Sequence, residues 1–389
     1  MRVLLAHNYY QQPGGEDRVF AAEASLMERR GHDVVRYCAH NDRVNEYSSV
    51  SLAAKTIWNR DSYTEFRSLL RRQRPDVCHF HNTFPLISPA AIRAAKAERI
   101  PVVLTLHNFR LLCPGATFLR AGAVCQECAG RQFPWPAILH ACYRNSRAAS
   151  ATVGLMLFTH RIIGTWSHAI DRYIALTDLA RQRFLEGGIA EEKIVVKPNF
   201  IEPDPGFSSQ RGRHALFVAR LSPEKGVDTL LEAWRLLEAP IPLRIAGDGP
   251  LAERVMQATR DDRRIQWLGH LSSDRVTSEM KKAYCLIVPS IWFEGGLPLT
   301  ILEAFATGLP VVASKIGAMA ELIEHQDTGL HFAAGDPAQL AERIRWCWDH
   351  PGELSGLGRR ARARFERSYT AEANYRQLMS IYQSAGAAV

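Results

Sequence analysis

Short apolar runs, rich in β-branched residues, recur along the chain, and stretches with helical spacing separate many of them. In the first half the runs fall at residues 3–6, 34–37, 77–80, 102–106, 173–176 and 194–196. Between the first two, Val19, Phe20, Glu23, Leu26 and Met27 return at helical spacing and Gly31 stops the pattern, which predicts a helix over 17–30. Strand–helix alternation predicts βαβ units and a parallel sheet with helices on both faces. From Lys197 to Gly206 three prolines and a glycine interrupt the pattern and read as an interdomain linker. Alternation then restarts, with strands expected at 215–219, 243–246, 265–268, 286–289 and 311–313 and helices at 228–237 and 299–307. Helical pattern closes the chain at 338–348 and 371–383. The fold class expected is α/β, two Rossmann-like doubly wound domains facing a central cleft. The first spans 1–200, with an insertion at about 107–150, and the second spans 201–366. Ligands of open α/β sheets bind beyond the carboxyl ends of the strands, so the cleft is the expected site.

Composition removes several classes. At 389 residues the chain is long enough for two cores, and its scattered glycines and prolines exclude collagen-like and low-complexity readings. The longest apolar stretch, 149–158, is far short of the roughly 20 residues a membrane span needs. The apolar run after Arg2 is too short for a signal peptide. A cytoplasmic protein is expected, so the eight cysteines should be thiols or metal ligands rather than disulfides. Charge is uneven: residues 1–200 hold 26 Lys and Arg against 17 Asp and Glu, a net +9, while 201–389 hold 22 against 23, a net −1. A basic half points to an anionic partner, nucleic acid or an anionic membrane surface; an Arg-rich composition without function is the bland alternative. Aromatic residues are not interleaved with the arginines as stacking platforms require, so no nucleic-acid partner is expected.

Five constellations carry candidate chemistry. Arg220 and Lys225, in the stretch from Ala219 to Gly226, stand just after a predicted strand, where two cations suit a diphosphate; solvated surface cations are the alternative. Downstream of Pro289, Glu294 precedes Gly295 and Gly296, and a helix starts near Pro298. Backbone N–H groups of such a helix start, from Gly295 and Gly296 through Leu297 to Leu299, can hold an anion. Glu303 sits within the apolar run Ile301–Phe305, which disfavours a merely exposed role, and its two oxygens suit a ribose diol. Gly14 and Gly15 before the first helix let a phosphate approach the backbone, or form a simple β–α turn. His107 ends a predicted strand, as do Gly247 and Leu268, and all three are placed along the cleft; a structural role for the histidine is the alternative. Finally, Cys113, Cys125, Cys128 and Cys142 fall within 30 residues, a spacing suited to a structural zinc or to free buried thiols. Cys38, Cys78, Cys285 and Cys347 read as small core residues. No D-x-D occurs, so a bound diphosphate must be neutralised by Arg220, Lys225 and backbone donors, and no catalytic metal cofactor is expected.

Arg220 and Lys225 in A-R-L-S-P-E-K-G, with E-G-G-L-P-L-T-I-L-E-A-F-A-T-G-L-P-V-V-A from Glu294 to Ala313, resemble the donor domain of the family-4 retaining glycosyltransferases of GT-B fold. Gly14-Gly15-Glu16 and Gly31-His32 resemble that family's first domain, and the stretch from His107 through Arg147 resembles its bacterial exopolysaccharide and surface-polysaccharide subgroup. The resemblance implies that Arg220 and Lys225 hold the donor diphosphate and that Glu303 binds the nucleotide ribose. It also implies that Glu294 meets the donor sugar, that Gly15 approaches the diphosphate and that His107 sits beside the reacting sugar. Glu294 and Glu303 are separated by eight residues, one more than is usual in the family, so the partner of Glu294 stays open. The final helix, about 367–389, would cross back onto the first domain. The reaction implied moves a hexose from an NDP-sugar to a hydroxyl acceptor with retention. The acceptor would be a lipid-linked or other saccharide, met at the anionic inner face of the membrane. An epimerase or phosphorylase of the same architecture, or a non-catalytic nucleotide-sugar-binding or nucleic-acid-binding protein, are the alternatives.

Overall fold

The apolar runs of the first half pair side by side. The computed structural model describes residues 1–12, 14–209, 211–293 and 296–387. The strands up to the linker are β1 (Arg2–Tyr9), β2 (Asp33–His40), β3 (Val77–Asn82), β4 (Val102–Leu106), β5 (Leu119–Arg120), β6 (Ala123–Val124), β7 (Arg172–Ala175) and β8 (Ile194–Val196). Six of them form a parallel sheet in the order β2-β1-β3-β4-β7-β8, while β5 and β6 make a separate antiparallel pair. β1, β3 and β4 are buried on both faces, as strands covered by helices are. β2 lies at the sheet edge and alternates between covered and exposed positions, which leaves Cys38 exposed rather than in the core.

After the linker come β9 (Ala215–Val218), β10 (Leu243–Ala246), β11 (Ile265–Trp267), β12 (Cys285–Val288), β13 (Val311–Ser314) and β14 (Gly329–Phe332). They form a second parallel sheet, ordered β11-β10-β9-β12-β13-β14. Strand order reverses between β9 and β12 in this sheet and between β1 and β3 in the other. Chain connections leave to opposite sides at these two points, which opens a crevice above each.

The helix Ala371–Ser384 belongs in space to the first domain. Leu378, Ile381 and Tyr382 pack with Val3, Leu5, Phe20 and Ile174 in one buried cluster. A bridge between Ile201 and Thr370 ties the linker to the turn before that helix. The insertion between β4 and β7 carries β5, β6, a five-residue helix (Trp135–Leu139) and a long helix (Arg147–Ile162). No helix among the described residues is long and apolar enough to cross a membrane.

Candidate active site

The loop after β9 is built to bring cations to a backbone-lined floor. β9 stops at Val218, a turn of 3-10 helix covers Pro223–Lys225, and Gly226 caps the helix Val227–Leu236 in a left-handed conformation, φ +73°. A Cβ at Gly226 would lie 1.9 Å from the Pro289 carbonyl oxygen, so glycine is what lets the β9 and β12 loops touch. Gly247, at φ +141°, likewise has room for no Cβ: one would meet the Ala219 oxygen at 1.9 Å. Above this floor lies a cavity of about 580 Å³, and Arg220, Lys225, Pro289, Ser290, Gly296, Leu297 and Leu299 line it. The Lys225 ammonium stands 5.2 Å from the Trp292 ring centroid. The exposed Arg220 guanidinium has no hydrogen-bond or ion-pair partner among the described residues. A second cavity of about 940 Å³ continues from the first and is lined by Arg220, Gly247, His270, Leu271 and Glu303.

The opposite wall comes from the first domain. Asp17 accepts from the Gly14 N–H (2.7 Å) and its other oxygen meets His7 Nε2 (2.7 Å), pinning the Gly14-Gly15 turn to the end of β1. Gly15 lines the first cavity, and a Cβ there would sit 3.8 Å from Leu299 across the cleft. His107, at the end of β4, lines the same cavity; a Cβ on Gly296 would come within 3.0 Å of its carbonyl oxygen. Tyr10, Glu16 and Arg110 complete this wall. Burial pushes the Glu16 carboxyl up to about 7, against the pull of the Tyr10 hydroxyl and the Arg110 guanidinium. Burial likewise drives the Tyr10 phenol upward. An ion pair and a helix cap span the cleft: Arg18 donates to Glu303 Oε1, and the Glu321 carboxylate accepts from the backbone N–H groups of Asp178 (2.9 Å) and Leu179 (2.8 Å) at a first-domain helix start.

The structure thus gathers Gly15, His107, Arg220, Lys225, Gly296, Leu297 and Leu299 on one cavity and Gly247 and Glu303 on its continuation. Leu268 lines neither. Its N–H is spent on the Ile245 carbonyl (2.8 Å), and His270 and Leu271 take the wall position instead. Glu294 and Gly295 lie outside the described residues. Sequence reasoning passed over Tyr10 and Arg110 because neither belongs to a recognisable spacing, and it gave Glu16 no role beyond its place in Gly14-Gly15-Glu16. It also missed the histidines His7, His79 and His81 at the ends of β1 and β3, which carry the strands into the site. H-F-H-N at 79–82 was the available signal. Cys113, Cys125, Cys128 and Cys142 are free thiols. Cys113 and Cys142 flank Gly115, whose Cβ would lie 3.7 Å from Cys113 Sγ and 3.7 Å from Cys142 Cβ. Burial, with the three neighbouring thiols, pushes Cys128 up to about 11. No three of the four sulfurs lie within 4.8 Å of one another.

Two facing Rossmann-like domains with the cleft lined in this way define a glycosyltransferase of the GT-B class. The family assignment is equally direct: residues 13–205 match the model of Glycosyltransferase Family 4 and residues 212–350 that of Glycosyl transferases group 1, and the chain belongs to this family. It is 27% identical over 270 residues to the D-rhamnosyltransferase WbpZ of Pseudomonas aeruginosa, covering 61% of this chain and 68% of WbpZ. It is 27% identical over 225 residues to the amylovoran biosynthesis glycosyltransferase AmsK of Erwinia amylovora, covering 54% of this chain and 55% of AmsK. The fold matches that of Anabaena Alr3699/HepE, solved in complex with UDP, with a TM-score of 0.70 at 17% identity over 99% of this chain and 100% of HepE. A glycosyltransferase from Rickettsia africae matches with a TM-score of 0.73 at 16% identity, over 99% of this chain and 98% of the other.

Proposed function

We propose that the protein transfers a hexose, with retention of configuration, from a nucleotide-diphosphate sugar to a saccharide acceptor carried on a lipid. The observation that carries this reading is the placement of Arg220 and Lys225 at the end of β9, on the cavity that His107 and the Gly296–Leu299 segment line from other sides. Two cations and helix-start N–H groups stabilise a departing diphosphate, and this charge stabilisation supplies much of the rate. Glu303, in the continuing cavity, accepts from the ribose. The leaving phosphate assists attack from the same face of the sugar, and Glu16, on the first-domain wall, accepts a hydrogen bond from the incoming hydroxyl. Neutralisation falls to Arg220 and Lys225 rather than to a metal, so EDTA is expected to leave transfer largely intact. An absolute requirement for Mg²⁺ would contradict this.

Membrane recruitment is part of the same proposal. Trp135, Leu139, Leu155 and Ile162 are exposed on two helices that pack together, with Arg131, Arg144 and Arg147 exposed nearby. Apolar side chains among arginines suit an anionic bilayer surface. We further propose that a structural zinc draws the four insertion cysteines together, to the roughly 3.8 Å sulfur separation of a tetrahedral thiolate site. Elemental analysis of the purified protein tests it, and a zinc content far below one per chain would dismiss it.

The central test is thermal stabilisation by UDP-, GDP- and dTDP-sugars, followed by product analysis with a polyprenyl-diphosphate saccharide. A nucleotide sugar that binds stabilises in proportion to RT ln(1 + [L]/Kd). Absence of stabilisation by every nucleotide sugar, together with absence of product, would sink the reading.

A further inference from the structure

Behind His107 runs a chain of buried polar side chains that the transfer chemistry does not itself call for. Lys197, just after β8, donates to Glu23 Oε1 (2.5 Å) and to Asn374 Oδ1 on the last helix (2.5 Å). Glu23 Oε2 faces His81 Nε2 at 3.3 Å, and His81 Nδ1 meets His107 Nε2 at 3.0 Å. The side chains of Lys197, Glu23 and His81 are at most 1% exposed. We propose that Glu23 and His81 are positioning residues, which hold the His107 ring and fix its tautomer at the wall of the cleft.

The donor inventory leaves little choice. Lys197 has donors only, so its carboxylate partner is the ionised Glu23, whose oxygens can only accept. Burial alone would raise Glu23, but the Lys197 ammonium and His81 hold it well below the usual carboxylate range. His79 Nδ1 is 3.9 Å from Glu23, yet its two nitrogens are spent on the Tyr382 hydroxyl (2.9 Å) and on Thr105 Oγ1 (2.7 Å). Among the described residues Glu23 Oε2 and His81 Nε2 make no aligned hydrogen bond to any group, and at 3.3 Å they face each other as a close buried polar contact. In the proposed arrangement His81 is neutral and carries its proton on Nε2, toward the carboxylate. His81 Nδ1 then accepts, and the proton of His107 sits on Nε2. His107 is left neutral with its lone pair on Nδ1. Burial, together with His81, His7 and His79, holds His107 well below the ordinary histidine range against the opposing Glu23. Asp17 beside His7 and Lys197 beside Glu23 are the other charged groups behind it, and Glu16, Arg18, Arg110, Arg220 and Lys225 share the cavity in front. The ligand atoms of Glu23, His79 and His81 lie within 4.8 Å of one another, as a metal site would require. The Lys197 ammonium already supplies the cation there, which argues against a metal.

This inference rests on the placing of His107 beside the reacting sugar, and its tests separate the two. With histidine-selective ¹⁵N labelling, the long-range ¹H–¹⁵N spectrum at pH 7.5 should show His107 neutral and protonated on Nε2, the signal being assigned by its loss in His107→Gln. An imidazolium, or a proton on Nδ1, overturns the proposal whatever the substrate. In turnover assays His81→Leu should lower kcat at least tenfold with the donor KM within about twofold. His81→Asn, whose Oδ1 can accept from His107 Nε2, should recover activity to within about threefold of the native protein. A folded His81→Leu with native kcat, or His81→Asn as impaired as His81→Leu, would also overturn it. A native protein that turns over no nucleotide sugar counts against the transfer reading alone, because the tautomer measurement stands without it.

Discussion

Gly226 and its neighbour Lys225 separate scaffold from chemistry by one residue. A methyl group at Gly226 would enter the Pro289 carbonyl and force a side chain into a left-handed backbone. Gly226→Ala should therefore cost about 2–3 kcal/mol in urea unfolding, from strain and displaced loops. Lys225→Ala leaves that backbone approach intact. Turnover of the folded variant should fall at least about a hundredfold, through lost charge stabilisation of the leaving group. Near-native turnover would remove Lys225 from the mechanism. Glu16 makes a third case, since burial places its carboxyl near neutrality. If the ionised form receives the acceptor hydroxyl, kcat/KM rises with pH through a limb near 7, and Glu16→Gln flattens that limb. An unchanged profile in Glu16→Gln would assign the limb elsewhere.

Elements differ in how far the sequence discloses them, and the reason is which residues cover them. Central strands such as β4 and β13 announce themselves as apolar runs broken only by a threonine or a serine, because helices bury both of their faces. β1 runs on past the apolar residues through His7 and Asn8, both fully buried, so hydropathy ends the strand before its functional part begins. β14, Gly329–Phe332, escapes notice because a glycine and a histidine dilute its pattern. The glycine is there because a Cβ would meet the Val311 oxygen at 2.4 Å. The motif loops Arg220–Gly226 and Gly296–Glu303 were legible because their spacing is local. The chain Lys197–Glu23–His81–His107 was not, since its members are brought together from four different places in the chain: after β8, the middle of the helix Gly15–Arg29, β3 and the end of β4. Membership of the last helix in the first domain is testable on its own. Leu378 is fully buried in the cluster with Val3 and Phe20. Leu378→Ala should cost about 2–4 kcal/mol, and amide exchange should accelerate in β1 and the helix Gly15–Arg29 more than in β9 to β13. Equal acceleration in both sheets would mean that the helix stabilises the molecule without belonging to one domain.

Across the whole molecule, the two domains meet through apolar contacts, Leu176 in the second-domain core and Phe293 against the first, and through charged groups that span the cleft. Arg18 reaches over the cleft to Glu303, and Glu321 reaches back to cap the first-domain helix Asp178–Glu186. Both contacts hold the cleft closed, but they bear on a nucleotide differently. Glu303 is the proposed ribose acceptor, so its contact with Arg18 must yield when ribose arrives. Glu321 touches neither cavity, and its carboxylate at a helix N-terminus serves closure alone. Arg18 is half exposed, and an exposed pair of this kind is worth about 0–1 kcal/mol. Arg18→Ala should accordingly tighten UDP binding by up to about fivefold, whereas Glu321→Ala should weaken it, because closure then costs more of the binding energy. Glu303→Ala should weaken UDP binding at least about tenfold by removing the ribose contact. Isothermal titration of the three variants with UDP decides the matter. Weaker binding in Arg18→Ala and Glu321→Ala alike would make Arg18 a closing contact only, and native affinity in Glu303→Ala would move the ribose away from that residue.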